Sequence, residues 1–317
     1  MSSRPRISIV TRTRNRHWLL ARALRSIAEQ TFADWRIALV DQGDAVTTGK
    51  ILETFGEEFC AKVDHIVAPP DLTLGGLLNL GIRSSDSDFI TRLDDDDTWH
   101  AEFLEIMERE LSAKPGPDFG GIACLTARVD EAPDQNGNLV TLQEAPLSYF
   151  TKVRIQDLMV DTVFQIHAFL YERRCHEKVG YHDDGMNFGE DREFHIRFIC
   201  HYEIAVVPQV LARYHFREQH FGNETWNADT ATGAARKYGH VLHFNRRIRQ
   251  FVEAAPENIA IIQAFGQLEA VVNQRYKSLA REIKMLRTKL ELVSDKIGKI
   301  DSRTKSLKDG HPAAKKP

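Results

Sequence analysis

The sequence predicts an α/β protein built on a parallel sheet, followed by a helical C-terminal extension. Three observations predict it. Strand-like and helix-like runs alternate from Arg6 to Leu111, and alternation of that kind gives parallel strands covered by helices. Four consecutive aspartates, Asp94–Asp97, close one of the strand-like runs. Near the C-terminus an apolar pattern repeats every seven residues without a slip.

The first strand is Arg6 to Thr11, followed by a helix over His17 to Glu29 with Leu20, Leu24 and Ile27 on one face. Trp35 to Asp41 is the second strand and Thr47 to Phe59 its helix. Lys62 to Ala68 is the third strand, Gly76 to Ser84 the next helix and Asp88 to Leu93 the fourth strand. An amphipathic helix carrying Phe103, Leu104, Ile106, Met107 and Leu111 follows the aspartates. Thr11, Asp41 and Asp94 all fall at carboxyl ends of strands, where open α/β sheets bind ligands, so one site can collect them.

Beyond Gly120 the pattern is mixed. Ile122 to Val129 reads as a strand, Asn136-Gly137-Asn138 as a turn and Leu139 to Leu142 as the returning strand. Thr162 to Tyr171 has strand character, Glu190 to Cys200 is helical, and Ile204 to Pro208 is a strand ended by its proline. From Thr225 the composition turns helical, with a break at Pro256.

Composition narrows the function. Lys and Arg total 42 against 45 Asp and Glu, so no basic excess points to nucleic acid. Cys60, Cys124, Cys175 and Cys200 show no metal or redox spacing and fit a reduced cytosolic thiol set. The opening Met-Ser-Ser-Arg-Pro-Arg is expected to lead into a short strand rather than the apolar core of a signal peptide, and no run approaches the ~20 apolar residues of a membrane helix. A cytoplasmic chain is expected, with peripheral contact at the inner face of the membrane as its furthest reach towards lipid.

The aspartate run carries the chemistry. Adjacent carboxylates repel and need a cation among them. At the end of a strand, hard oxygen ligands suit Mg2+ or Mn2+ holding a substrate diphosphate. The alternative is a helix-start cluster with no chemistry. Glu190 and Asp191, in Asn187-Phe188-Gly189-Glu190-Asp191-Arg192-Glu193, form a second acidic pair at a helix start and are candidates for a general base. Arg213-Tyr214-His215 follows the late strand and offers groups for phosphate or metal.

Taken in order, these segments resemble family 2 glycosyltransferases of the GT-A fold. Ile7 to Arg16 is similar to that family's first strand and nucleotide loop, and Leu39-Val40-Asp41-Gln42-Gly43-Asp44 to its base-binding strand end. Gly75-Gly76 with Asn79 and Gly81 resembles the segment before the metal motif. Leu93 to Asp97 with Trp99 resembles the D-x-D site, and Gly189-Glu190-Asp191 the acceptor-side motif. The chain departs from the pattern at Arg14, where tyrosine is frequent, and at Gln42, where a second acidic residue is frequent.

The resemblance implies an inverting, metal-dependent transfer from a nucleotide-diphosphate sugar to a carbohydrate or glycolipid acceptor, in surface polysaccharide or glycoconjugate synthesis. It implies that Asp41 meets the base, that Thr11, Arg12 and Arg14 shape the nucleotide pocket, and that Asn79, Asp95, Trp99 and Arg213 belong to the donor site. Asp94 is assigned to the ribose or the metal shell, and Asp96 and His215 to the Mn2+ or Mg2+ ion. Asp191 is the expected base and Glu190 an acceptor-positioning group, or the two exchange roles. The rival readings are a catalytically silent sugar-nucleotide-binding scaffold and a nucleotidyltransferase; the latter lacks its glycine-rich, lysine-containing loop at Ser8 to Arg16.

The expected division is a GT-A domain over 1–222, a helical extension over 223–266, a coiled-coil helix over 267–301 and a basic disordered tail over 302–317. Tyr276, Ile283, Leu290 and Ile297 occupy a positions, and Val272, Leu279, Leu286, Val293 and Ile300 occupy d positions. Glu282 stands opposite Arg287 and Lys296 opposite Asp301 in a parallel coil. The pattern predicts a homo-oligomer, dimer or trimer. The tail is either a solubilising segment or a contact with anionic lipid.

Overall fold

The alternating N-terminal half forms the expected parallel sheet in the computed structural model, which describes residues 4–114, 116–136, 138–187, 189–217 and 245–309. Strands β1 (Ile7–Thr13), β2 (Trp35–Asp41), β3 (Val63–Val67) and β4 (Phe89–Arg92) alternate with helices α1 (His17–Ala28), α2 (Ala45–Glu53), α3 (Glu57–Cys60) and α4 (Leu74–Arg83). β5 (Thr98–Trp99), α5 (Phe103–Ser112), β6 (Phe119–Pro133), β7 (Leu139–Pro146), α6 (Ile155–Val160), β8 (Phe169–Glu172), α7 (His176–Val179), α8 (Glu190–Ile199) and β9 (Glu203–Arg217) complete the unit. The sheet order is β3-β2-β1-β4-β8-β6-β9-β5, with β7 paired to β6.

Alternation along the strands fills both faces of this sheet. Ile7 and Ile9 pack with Leu20, Leu24 and Ile27 of α1 and with Phe103, Leu104 and Met107 of α5. Val10 and Ile90 point the other way, onto Leu78 and Ile82 of α4 and Phe194 and Phe198 of α8. Helix α4 lies so close to the sheet that a Cβ on Gly81 would stand 2.6 Å from Val10 Cγ1.

Two pairings build the site. β8 runs antiparallel to β4, with Thr91 opposite Leu170, so the carboxyl end of β4 meets the residues that lead into β8. β9 runs parallel to β6, with Val129 opposite His215 and Glu131 opposite Arg217. The aspartates leave β4 between these two layers.

The structure departs from the sequence expectation in places. The segment 162–171 is a strand only from Phe169, after a short 3-10 turn over Ile166–Ala168. β9 does not stop at Pro208 but continues to Arg217. Pro208 falls where the register jumps, between Val207 opposite Cys124 and Val210 opposite Leu125, and a strand tolerates proline at such a bulge.

The chain divides into two compact units, Met1–His243 and Phe244–Pro317. The second contains a helical segment over 245–254, a turn at Pro256 and a continuous helix over Asn258–Asp309. That helix begins before the expected residue 267 and runs through 302–309, which the sequence reading gave to a disordered tail. The basic residues Lys315 and Lys316 lie outside the described residues. No helix among the described residues is long and apolar enough to cross a membrane.

Candidate active site

The aspartates are buried in a lattice of guanidinium groups. Arg92, the last residue of β4, grips Asp94 with two hydrogen bonds, Nε to Oδ1 at 2.8 Å and Nη2 to Oδ2 at 2.6 Å. Arg12 of β1 adds Nε to Asp94 Oδ1 at 3.2 Å. Both arginines reach across to α8, where Arg12 Nη1 and Arg92 Nη1 donate to Glu190 Oε1 at 3.1 and 3.3 Å. Arg16 Nη1 bridges Asp95 Oδ1 and Asp96 Oδ2, both at 3.1 Å, and Thr13 donates its hydroxyl to Asp95 Oδ2. Arg217, fully buried on β9, joins Asp96 Oδ2 at 2.7 Å to Glu131 Oε2 at 3.1 Å.

Burial and charge divide these carboxylates. Burial pushes the Asp94 carboxyl up, but Arg92 and Arg12 together outweigh it and hold it well below the usual range. For Asp95 burial wins over Arg16, and with the adjacent Asp96 charge it pushes the group up to about 7. Asp96 is raised too, by burial and by Asp97, against Arg16 and Arg217. Glu131 overcomes burial through its bonds to His215 and Arg22 and falls to about 2.

The two acids of α8 differ in their partners. Gly189 precedes it with φ 72°, a left-handed conformation that suits glycine and turns the chain sharply into the helix. Glu190 is buried and committed to the two arginines. Asp191 is partly buried, and among the described residues its carboxylate accepts only the backbone N–H of Arg192, at 2.7 Å. Burial and the Glu190 charge push its carboxyl up, against Arg92 and Arg12.

The structure therefore brings together Arg12, Asp94, Asp95, Asp96, Glu190 and Asp191. It places the other expected residues differently. Thr11 is buried on β1, its hydroxyl without a partner among the described residues. Arg14 is exposed. Asp41 is fully buried, accepting the Gly43 N–H at 2.7 Å with His65 Nε2 3.1 Å away, and so shapes the end of β2. Gln42 donates to the Pro69 and Leu72 carbonyls and anchors the loop before α4. Asn79 exchanges hydrogen bonds with the His182 backbone and donates to Asp184, tying α4 to the loop that leads to α8. Arg213 pairs with Glu144 of β7.

Trp99 and His215 lie in surroundings other than those expected. Trp99, expected beside the sugar, is a core residue 4% exposed, stacked on Phe103 with ring centroids 4.3 Å apart and donating Nε1–H to the His167 carbonyl. β5 pairs with β9 and turns the indole inward. His215 is buried, with Nδ1 2.8 Å from Glu131 Oε1 and Nε2 2.8 Å from Thr98 Oγ1. Both ring nitrogens are engaged, so neither lone pair is left for an ion at Asp96.

A divalent ion fits here only in part. Among the described residues no three His, Cys, Asp or Glu side chains converge as ligands. Magnesium, however, commonly takes one or two carboxylates and completes its shell with substrate phosphates and water. Asp96 suits that arrangement, since Arg16 and Arg217 both use Oδ2 and no described residue bonds Oδ1.

Several contributors escaped the sequence reading. Arg92 carried a readable signal, because residues i and i+2 of a strand share a face. Arg16, Arg217, Glu131 and the Asp97–His167 pair, 3.0 Å apart, did not. Their contacts depend on strand order.

Comparison with known proteins gives a family and a fold. The model of the family described as "Glycosyl transferase family 2" matches residues 8–180. The chain is 26% identical over 239 residues to the uncharacterized glycosyltransferase YwdF of Bacillus subtilis (strain 168), covering 73% of this chain and 80% of that protein. S. aureus TarS 1–349, solved in complex with UDP-GlcNAc, is similar with a TM-score of 0.54 at 16% identity, over 68% of this chain. The match spans 60% of the TarS fragment, and the likeness is one of fold.

Proposed function

Because the chain belongs to glycosyl transferase family 2 and folds as a GT-A unit, we propose that it transfers a sugar from a nucleoside-diphosphate donor to an acceptor hydroxyl with inversion. The acceptor is a carbohydrate or glycolipid of the kind used in surface polysaccharide or glycoconjugate synthesis. The observation that carries the reading is the division of labour at α8. Arg12 and Arg92 hold Glu190, while the adjacent Asp191 has no ion pair among the described residues and a carboxyl raised by burial.

In the proposed reaction Asp191 accepts the proton of the acceptor hydroxyl. The oxygen bonds to the anomeric carbon on the face opposite the leaving group. The bond between that carbon and the diphosphate oxygen breaks, and its electron pair leaves with the nucleoside diphosphate. Glu190, immobilised by the two arginines, positions acceptor hydroxyls. Thr13 and Arg16 hold Asp95 and Asp96 at the end of β4. Mn2+ or Mg2+ held by Asp96 would neutralise charge on the departing diphosphate.

A screen of nucleotide release across donor sugars tests this reading, beginning with uridine diphosphate sugars because TarS was solved with UDP-GlcNAc. The product anomer is then assigned by NMR. Inverted configuration at the anomeric carbon is expected, and retention would refute the single-displacement mechanism.

A further inference from the structure

The helix Asn258–Asp309 carries its apolar side chains in a stripe that no described residue of its own unit covers. Tyr276, Leu279, Ile283, Leu286, Leu290, Val293 and Ile297 are each between half and three-quarters exposed. Their spacings alternate three and four residues, so they lie along one seam of a continuous helix. An isolated helix gains most of its stability in proteins by burying such a face, and a continuous exposed apolar strip marks an interaction surface.

We propose that this stripe is the seam of a parallel, in-register, two-stranded coiled coil formed with a second copy of this chain. Three features select that occupant. The strict a/d repeat is self-complementary, since each a or d side chain meets its own counterpart when two copies align in parallel. Ile283 and Ile297 at a positions with Leu279 and Leu286 at d positions follow the two-stranded preference in the middle of the seam, while Tyr276 and Leu290 at a and Val272 and Val293 at d depart from it. Flanking charges agree with the same alignment: Glu282 of one copy faces Arg287 of the other. The neighbouring flank pairs, Arg275 with Ala280 and Lys289 with Ser294, bring no like charges together. Ile300 and the Lys296–Asp301 pair would extend the seam, but their side chains lie outside the described residues.

The coil tethers two copies of the chain through a seam whose positions Val272 to Ile297 span roughly 38 Å at the standard helical rise. Two active sites then share one local supply of a polymeric acceptor, whose second engagement becomes intramolecular. This consequence rests on the glycosyl-transfer reading, whereas the coil itself does not.

Sedimentation equilibrium of the full chain at micromolar concentration is the primary test. A mass twice the 36.2 kDa of one chain is expected. Leu279→Lys with Leu286→Lys, good helix formers at exposed sites, should give a single-chain mass with the far-ultraviolet spectrum of the catalytic unit retained. In a Cys200→Ser background, which removes the exposed native thiol, Leu286→Cys should form a disulfide-linked dimer on mild oxidation. A monomeric wild type, a three-chain mass, a dimer that survives the lysine pair, or a dimer that Leu286→Cys fails to cross-link would each overturn the proposal.

Discussion

Arg92 and Asp94 form a bidentate ion pair between residues only two apart, at the point where β4 ends. The side chains of alternate strand residues share a face, so the guanidinium already stands over the carboxylate it neutralises. Its remaining nitrogen reaches Glu190 on α8. One arginine thereby links the end of β4 to the start of α8. The same pair explains why the aspartate run can be buried at all.

Replacing Arg92 should accordingly destabilise the fold before it affects chemistry. Arg92→Ala leaves Asp94 and Glu190 buried with less compensation, a change that typically costs about 3–5 kcal/mol. Thermal denaturation should show a melting temperature lower by roughly 6–20 °C, at about 2–4 °C per kcal/mol for a unit of this size. Arg92→Lys keeps the charge but loses the planar fork, so it should fall between wild type and alanine. An alanine variant melting within a degree of wild type would show that Arg12 alone compensates Asp94.

The two neighbours on α8 should separate kinetically. Asp191→Asn is expected to keep donor affinity by calorimetry while transfer falls by at least ~100-fold, as when a general base is lost. Glu190→Gln should instead release Arg12 and Arg92 and lower both melting temperature and acceptor affinity. If Glu190→Gln abolished turnover with stability intact and Asp191→Asn remained active, the assignments would be reversed.

Much of this was legible in the sequence. The alternation from Ile7 to Arg92 carries the parallel sheet because period-two and period-3.6 apolar patterns report directly which faces are buried. The acidic motif at Asp94–Asp97 is visible because four adjacent carboxylates at a strand end repel unless something compensates them, and Glu190–Asp191 gains meaning beside it. Their compensation is not visible. Arg217 and Glu131 are 86 residues apart and meet only because β9 runs parallel to β6. The burial of Trp99 is illegible for the same reason, since an aromatic after an acidic run suggests a sugar contact until β5 pairs with β9 and turns it inward. Pro208 was read as a stop because a local rule cannot foresee a bulge.

Asp96 and His215 should respond differently to metal. Calorimetric titration of nucleoside diphosphate with and without Mn2+ is expected to show a metal-dependent gain in affinity for wild type. Asp96→Asn should lose that gain by about tenfold or more, since a carboxylate ligand becomes a neutral amide. His215→Ala should retain it, because both ring nitrogens of His215 serve Glu131 and Thr98. Loss of the metal response in His215→Ala with Asp96→Asn unaffected would relocate the ion to β9.

Glu131 provides the pH prediction. Its folded pKa is depressed to about 2, from an ordinary glutamate value near ~4.3, by bonds to His215 and Arg22 that outweigh burial. A depressed acid contributes stability that is present above its unfolded pKa and lost as pH falls through its folded pKa. The contribution should therefore be complete at pH 7, shrink from about pH 4.3 downward and vanish near pH 2. Glu131→Gln removes the charge but keeps the shape, leaving Arg22 and the buried Arg217 without their shared carboxylate. At pH 7 the variant should be less stable by about 3–5 kcal/mol, the usual loss when one partner of a buried pair is removed. Urea denaturation of both proteins from pH 7 down to pH 3 measures the difference. A gap that narrows steadily below pH 4.3 is expected, and one that stays constant to pH 3 would show that packing rather than charge makes Glu131 stabilising.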